Sequence, residues 1–315
     1  MISYYKTVED RIAKIDKYEE GCWINCISPD EDEVNYLLAE FNIEPDFVRA
    51  SLDDEETSHI EREDDSILII IDTPIVNKLG KNLTYSTRPL SIIITPKNVI
   101  TISLKENSIV EEFSEGLMRK ARPEQKIQFI LHIMLRTASK YLQYLKQIDK
   151  ITGHVEEELK KSMKNKELVQ LMEIEKSLVY FSASLKSIKT MLAKITRGKY
   201  IKLEDENQEV LEDLSIEIQQ ATEMSEIYLS ILSGTMNAFA SIISNNLNIV
   251  MKVLASITII LSIPTLVAGI YGMNNGGLYA MFEYVPVTAE WWFPFAASGA
   301  LMAAAWFLLK RKNMM

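Results

Sequence analysis

From Val253 to Phe282 the chain has no charged residue at all, and another uncharged stretch runs from Trp291 to Leu309. Charge is scarce only here, since a quarter of the 315 residues are Asp, Glu, Lys or Arg. Basic residues are in deficit, 34 against 44 acids, and no basic stripe offers a nucleic-acid surface. Three histidines, His59, His132 and His154, form no metal-ligand spacing. A Gly-rich phosphate loop, a nucleophile elbow and a Cys-x2-Cys pair are all missing, so nothing supports an enzyme. The two cysteines, Cys22 and Cys26, are four apart. On a strand that is about 13 Å, too far for a disulfide, and two reduced core thiols are expected.

The apolar runs that remain are Val253–Ile270 and Trp292–Leu309. Each is long enough to cross a hydrocarbon core of about 30 Å. Together they predict a helical hairpin in a membrane, with the lipid bilayer as a partner. Lys310, Arg311 and Lys312 follow the second run directly, and positive flanks stay on the cytosolic side. Two spans return the chain to that side, and Met1–Lys6 carries no apolar leader. Both termini are therefore expected in the cytosol, with Tyr271–Trp291 facing outward across the cell membrane. The formal net charge is −10. From Lys252 onward four cations (Lys252, Lys310, Arg311, Lys312) stand against Glu283 and Glu290, a net +2, which leaves −12 on the residues before. So acidic a body attracts cations and repels nucleic acid.

The expected organisation is an α/β cytosolic domain over 1–120, a helical domain over 121–250, a first span over 251–273, an outer loop over 274–290, a second span over 291–310 and a basic tail over 311–315. Trp23–Ile27, Ile67–Ile71, Ser91–Thr95 and Val99–Ser103 are short β-branched runs and read as strands. Lys78-Leu79-Gly80-Lys81 reads as a hairpin turn, and Ser28-Pro29-Asp30-Glu31 as a helix start. Two long antiparallel helices follow. The first carries a stripe through Ile127, Leu131, Met134, Ala138, Tyr141, Leu145, Ile148, Val155 and Leu159. The second carries Leu168, Leu171, Leu178, Phe181, Leu185, Ile188, Leu192 and Ile195. Lys161–Asn165 separates them, and Gly198 caps the second. A third helix starts near Glu204 and, continued into the first span, covers about 70 residues, or about 105 Å. Asp53 to Asp65 is a dense acidic run around His59, expected as a solvated connection.

On this third helix, Ser244, Asn248, Met251, Ala255, Thr258, Ser262, Thr265 and Gly269 share one face, nearly all small or polar. They suit a water-filled path, or equally a close helix contact. Leu254, Ile257, Ile260, Leu261 and Val267 lie away from it, toward lipid or neighbouring helices, and Pro264 predicts a local bend. A path without carboxylates suits a cation that keeps its water. Mg²⁺ sheds water reluctantly and is served by neutral oxygens. Two helices enclose no pore, so several copies are needed around an axis.

At Tyr271-Gly272-Met273-Asn274 the chain resembles the CorA family of divalent-cation channels, whose Gly-Met-Asn signature ends the first of two C-terminal spans. Ser244–Leu254, Ala268-Gly269-Ile270, the basic C-terminus and Trp23-Ile24-Asn25…Pro29 extend the resemblance over the chain. It implies a homopentameric Mg²⁺ channel with a funnel-shaped cytosolic domain, passing Co²⁺ or Ni²⁺ as well. It also implies that Tyr271, Gly272, Met273 and Asn274 form the selectivity filter, with Asn248, Met251 and Leu254 at the cytosolic neck. Mg²⁺ bound between cytosolic domains would hold the pore closed, and Asp213 falls where relatives carry one such carboxylate. The hairpin expected to supply its partner, Val76–Asn82, has no acid here, and Ser262 stands where relatives often have a bulky Met. A Zn²⁺ transporter of the same superfamily and a non-conducting membrane scaffold are the competing expectations.

Overall fold

The computed structural model describes residues 1–79, 82–118, 121–162, 165–201, 204–271 and 292–312. Strands β1 (Ile2–Val8), β2 (Arg11–Ile15) and β3 (Trp23–Ile27) precede helices α1 (Glu31–Phe41) and α2 (Pro45–Ser51). Strands β4 (His59–Glu63), β5 (Ser66–Leu79), β6 (Asn82–Ile94) and β7 (Val99–Ser103) follow. The chain then turns helical: α3 (Ser108–Ser114), α4 (Lys126–Ser162), α5 (Asn165–Thr196), α6 (Asp205–Tyr271) and α7 (Phe293–Arg311). It divides into two compact units, Met1–Met236 and Asn237–Met315, with the division falling inside α6.

In the first unit, the seven strands form one sheet in the order β2-β1-β3-β7-β6-β5-β4. Only the central β3–β7 pair is parallel, with Trp23 beside Val99 and Ile27 beside Ser103. Both central strands are buried on both faces, so even their polar residues Asn25, Thr101 and Ser103 lie inside. Alternate residues serve two layers. Ile24, Cys26, Leu68, Ile70, Ile93, Ile100 and Ile102 pack with Leu37, Phe47 and Val48 of α1 and α2. The Trp23 ring faces the other way, 5.2 Å from Phe129 of α4. Its Nε1–H donates to Thr101 Oγ1 at 2.8 Å, and that hydroxyl donates to Asn25 Oδ1 at 3.0 Å. Buried polar atoms in the sheet centre thus satisfy one another.

Helix α1 starts where Pro29-Asp30 predicted. Asp30 accepts from the Glu33 backbone N–H at 2.8 Å, and Glu33 returns the bond to the Asp30 N–H, closing a capping box. Of the residues in the two predicted stripes, all are buried except Ile127 and Leu168, which are half-buried. Gly198, at φ +68°, sends its N–H to the Ile195 carbonyl and ends α5. The N-terminal part of α6 buries Leu211, Leu214, Ile218, Ala221 and Leu232. It is pinned by Glu217 to Ser139 of α4 at 2.8 Å, by Glu226 to Lys186 of α5 at 2.8 Å, and by Ser233 to Glu175.

Two sequence expectations change. The acidic run is not only a connection: His59–Glu63 is edge strand β4, paired with β5 from Ser66 to Ile70. Its charged side chains blunt a sheet edge that would otherwise invite pairing. Ile67–Ile71 and Ser91–Thr95 belong to much longer strands, paired through to Leu79 opposite Asn82. The turn residues Gly80 and Lys81 lie outside the described residues. Helix α6 runs through Pro264, the residue at which the sequence predicts a bend, and Pro264 offers no N–H to the Ile260 carbonyl.

Candidate ion path on the apolar part of α6

The second unit contains the apolar end of α6 and all of α7. One helix among the described residues, within Asn207–Ile270, is long and apolar enough to cross a membrane. Its apolar residues stay uncovered: Leu254, Leu261 and Leu266 are all more than half exposed. In water such a surface would be strongly unfavourable, whereas hydrocarbon accepts it.

Exposure along this stretch divides the helix into two sides. Val253, Ser256, Ile260, Ile263, Pro264 and Val267 are covered or half-covered, with Ser256 fully buried. On α7 the covered or half-covered positions are Pro294, Ala297, Ser298, Met302, Ala305 and Leu309. Both sets recur at three- and four-residue steps, each with a serine, the spacing of helix contact through small side chains in a membrane. Ser244, Asn248, Met251, Ala255, Thr258, Ser262, Thr265 and Gly269 lie on the opposite side of α6, and every one is exposed, as is Leu254. The small and polar stripe is therefore not the face that α6 spends on packing within its own chain. Of the positions expected to look away from the stripe, Ile260 and Val267 take part in the covered side, while Leu254, Ile257 and Leu261 do not.

The hydroxyls on the stripe have a definite polarity. Thr258 Oγ1 donates to the Leu254 carbonyl at 2.9 Å, and Ser262 Oγ donates to the Ile259 carbonyl at 2.8 Å. Each proton is committed to the helix backbone, so each oxygen presents lone pairs outward. Lone pairs on an uncharged face accept hydrogen bonds from water polarised by a cation, without binding the bare ion. Gly269 meets nothing within 4 Å of where a Cβ would stand, so no packing in the chain demands glycine there. Tyr271 is the last residue of α6, and Gly272, Met273 and Asn274 lie outside the described residues.

Asp213 sits on α6 between buried Leu211 and Leu214, with its own side chain exposed. Among the described residues no three His, Cys, Asp or Glu side chains come together as a cation site. An open cavity of about 720 Å³ is edged by Glu40, Glu44, Glu63, Asp64 and Asp65, yet these do not converge either. Around His59, Glu56 lies 3.6 Å from Nδ1 and Glu61 3.8 Å from Nε2, with His59 and Glu56 half-buried and Glu61 exposed. Cys22 and Cys26 are free, fully buried thiols. Burial raises both, Cys26 up to about 12, so neither is a nucleophile or a thiolate ligand at neutral pH.

Two polar constellations escaped sequence reading. Glu112 of α3 meets Arg136 at 3.0 Å and Lys140 at 2.8 Å on α4. Burial works against its charge, but the two cations hold its carboxyl below the usual range. Asp72, on β5, is a buried carboxyl that accepts from the Ser58 hydroxyl. Neither has a local motif, because the partners come from 14 or more residues away. The covered serines Ser256 and Ser298 left no such trace, since each stands beside other small residues, Ala255 in one run and Ala297 and Gly299 in the other.

An α/β body whose longest helix runs on into an uncharged apolar segment, with a second apolar helix behind it, defines a membrane-anchored protein with a large polar domain. The family described as CorA-like Mg²⁺ transporter protein matches residues 18–311, and the chain belongs to it. The cobalt/magnesium transport protein CorA of Methanocaldococcus jannaschii is 27% identical over 271 residues, covering 84% of this chain and 81% of that one. The protein of the same name from Thermotoga maritima is 24% identical over 302 residues, covering 92% and 82%. The complete structure of the CorA magnesium transporter from M. jannaschii matches with a TM-score of 0.81 over 100% of this chain and 99% of that one, at 22% identity. The fold is thus shared from end to end, and the family is one of divalent-cation transporters.

Proposed function

We propose that this protein is a passive Mg²⁺ channel of the cell membrane, also passing Co²⁺ or Ni²⁺, that works as a homopentamer with both termini in the cytosol. The observation that carries the proposal is the exposed, uncharged stripe from Asn248 to Gly269, left open by a helix that packs through its opposite side. Copies meeting around an axis would bring these stripes together as the wall of a water-filled path. Asn248, Met251 and Leu254 would form its cytosolic neck. Ala255, Thr258, Ser262, Thr265 and Gly269 would form its middle. At the outer end Tyr271, Gly272, Met273 and Asn274 would form the filter, with the Asn274 amide oxygens facing the hydration shell of the ion. Residues 251–273 and 291–310 are then the spans, 274–290 the outer loop, and 1–120 and 121–250 the cytosolic parts.

Entry needs no nucleotide. The membrane potential supplies about 2.3 kcal/mol per charge per 100 mV, and twice that for a divalent ion. Cytosolic Mg²⁺ would close the path by binding between copies, with Asp213 one of its oxygen ligands. A single chain offers no three-ligand group for this among its described residues, which fits a site completed by a neighbouring copy.

The test is Mg²⁺ flux into liposomes, wild type beside Asn274→Ala, with Zn²⁺ and Co²⁺ run in parallel. Mg²⁺ flux that disappears in the variant is the expected result. Flux of Zn²⁺ alone would move the chain to zinc transport. Assembled protein that passes no ion in either form would be a scaffold.

A further inference from the structure

We propose that the C-terminal end of α7 is a binding site for the phosphate headgroups of anionic lipids, formed by Lys310, Arg311 and Lys312 and braced by Trp306. The proposal rests on α7 lying in a bilayer, and it is independent of which ion the protein carries.

Helix α7 has 19 residues, about 28 Å of rise, close to the thickness of a hydrocarbon core. Its outer surface near the C-terminus is apolar and uncovered: Trp306, Phe307 and Leu308 are 47%, 62% and 57% exposed. The charge begins immediately after this surface. Lys310 Nζ lies 4.8 Å from the centre of the Trp306 ring, one turn back along the helix. That contact draws the ammonium toward the depth of the indole, the level at which tryptophan favours the headgroup region. Arg311 and Lys312 follow at successive steps of about 100°, so the three cations fan around about 200° of the helix circumference. A fan of this width suits several headgroups arranged around a helix better than one protein carboxylate on one side.

The cations have no other role among the described residues. None of the ion pairs there involves Lys310, Arg311 or Lys312. The C-terminal dipole of α7 welcomes positive charge but amounts to roughly half a charge, well short of three. No Asp or Glu lies in α7, and the last one before it in sequence is Glu290, 20 residues ahead of Lys310. In the proposed topology Lys252, at the cytosolic end of the first span, reaches the same leaflet and adds a fourth cation. The ligand must join a phosphate to hydrocarbon, because the basic fan is continuous with Phe307 and Leu308. A phospholipid meets both demands and a soluble phosphate meets one. Near an anionic surface each Lys or Arg favours binding about fivefold.

The experiment uses full-length protein with Trp291→Phe and Trp292→Phe, so that Trp306 is the one tryptophan left in the apolar segments; Trp23 is buried in the first unit. The protein is placed in phosphatidylcholine vesicles carrying a minor fraction of lipid brominated along its chains, either phosphatidylglycerol or phosphatidylcholine. The expected result is several-fold stronger quenching of Trp306 by brominated phosphatidylglycerol. That preference should vanish in Lys310→Gln/Arg311→Gln/Lys312→Gln and survive in Lys310→Arg/Lys312→Arg. Quenching by brominated phosphatidylcholine in the triple variant shows that α7 is still inserted. Equal quenching by the two lipids, or a preference that outlives the triple substitution, overturns the site. No quenching by either lipid overturns the site together with the membrane placement of α7. Loss of ion flux with the lipid preference intact would overturn only the proposed transport.

Discussion

Ser58 and Asp72 hold each other across the β4 edge of the sheet: Ser58 Oγ donates to the Asp72 carboxylate at 3.0 Å and accepts from the Asp72 N–H at 2.8 Å. The carboxyl is buried between this edge and the helices, and among the described residues no cation pairs with it. Tyr141 of α4 also faces it: its hydroxyl donates to the Asp72 carbonyl at 2.9 Å, and burial keeps that hydroxyl protonated.

Burial raises the Asp72 carboxyl above its ordinary value, and the hydroxyls offset this only in part. A raised acid binds its proton more tightly in the folded state, so stability falls as pH rises through the folded value and stays lower above it. Asp72→Asn keeps the acceptor for Ser58 and removes the charge. The variant should melt at a higher temperature than wild type at pH 8, with the advantage fading as pH falls into the ordinary carboxylate range. Thermal unfolding of the full-length protein in detergent across that range is the check. A variant that is less stable at pH 8, or one whose difference does not vary with pH, would refute this account.

Much of this fold was legible in the sequence because burial repeats with a period. The stripes of α4 and α5 emerged from three- and four-residue steps, and β3 and β7 from short runs rich in β-branched residues. The edge hairpin β1–β2 was not legible. Its turn pairs Val8 with Arg11 through Glu9 and Asp10, at φ +50° and +63°. That conformation is usually announced by Asn-Gly, and two acids do not announce it. Strand β4 was hidden for a similar reason, since its charges guard a sheet edge and read as loop. At the candidate path, composition alone left packing and pore lining equally open for the small residues of α6. Within the chain these small residues stay uncovered, which the sequence pattern alone does not show.

Asp213 presents its carboxylate to the outside of the first unit, from a turn whose neighbours Leu211 and Leu214 are buried and fixed. If it helps hold a closing Mg²⁺ between copies, Asp213→Asn should shift inhibition of flux by internal Mg²⁺ to higher concentration while leaving the maximal flux at low internal Mg²⁺ unchanged. One charged ligand of a divalent site makes a shift of several-fold the reasonable expectation. An unchanged inhibition curve in liposomes of controlled internal Mg²⁺ would make Asp213 an ordinary solvated helix residue.

The two faces of α6 can be told apart by chemistry that needs water. A thiol reacts as the thiolate, so cysteine in a hydrated path is modified by a charged, membrane-impermeant methanethiosulfonate, whereas cysteine against hydrocarbon stays protonated and inert. The native Cys22 and Cys26 add no background, since both are fully buried and their thiols are raised by that burial. Thr258→Cys and Ser262→Cys should therefore be modified, with loss of flux. Ile257→Cys and Leu261→Cys, off the stripe, should react slower by roughly tenfold or more, as thiols without water. Mg²⁺ or Co²⁺ present during modification should slow the reaction at Thr258→Cys and Ser262→Cys, because a hydrated ion and the reagent compete for one space. Equal rates on both faces would mean that the small residues of α6 meet a neighbouring helix, and the path would have to be sought elsewhere in the assembly.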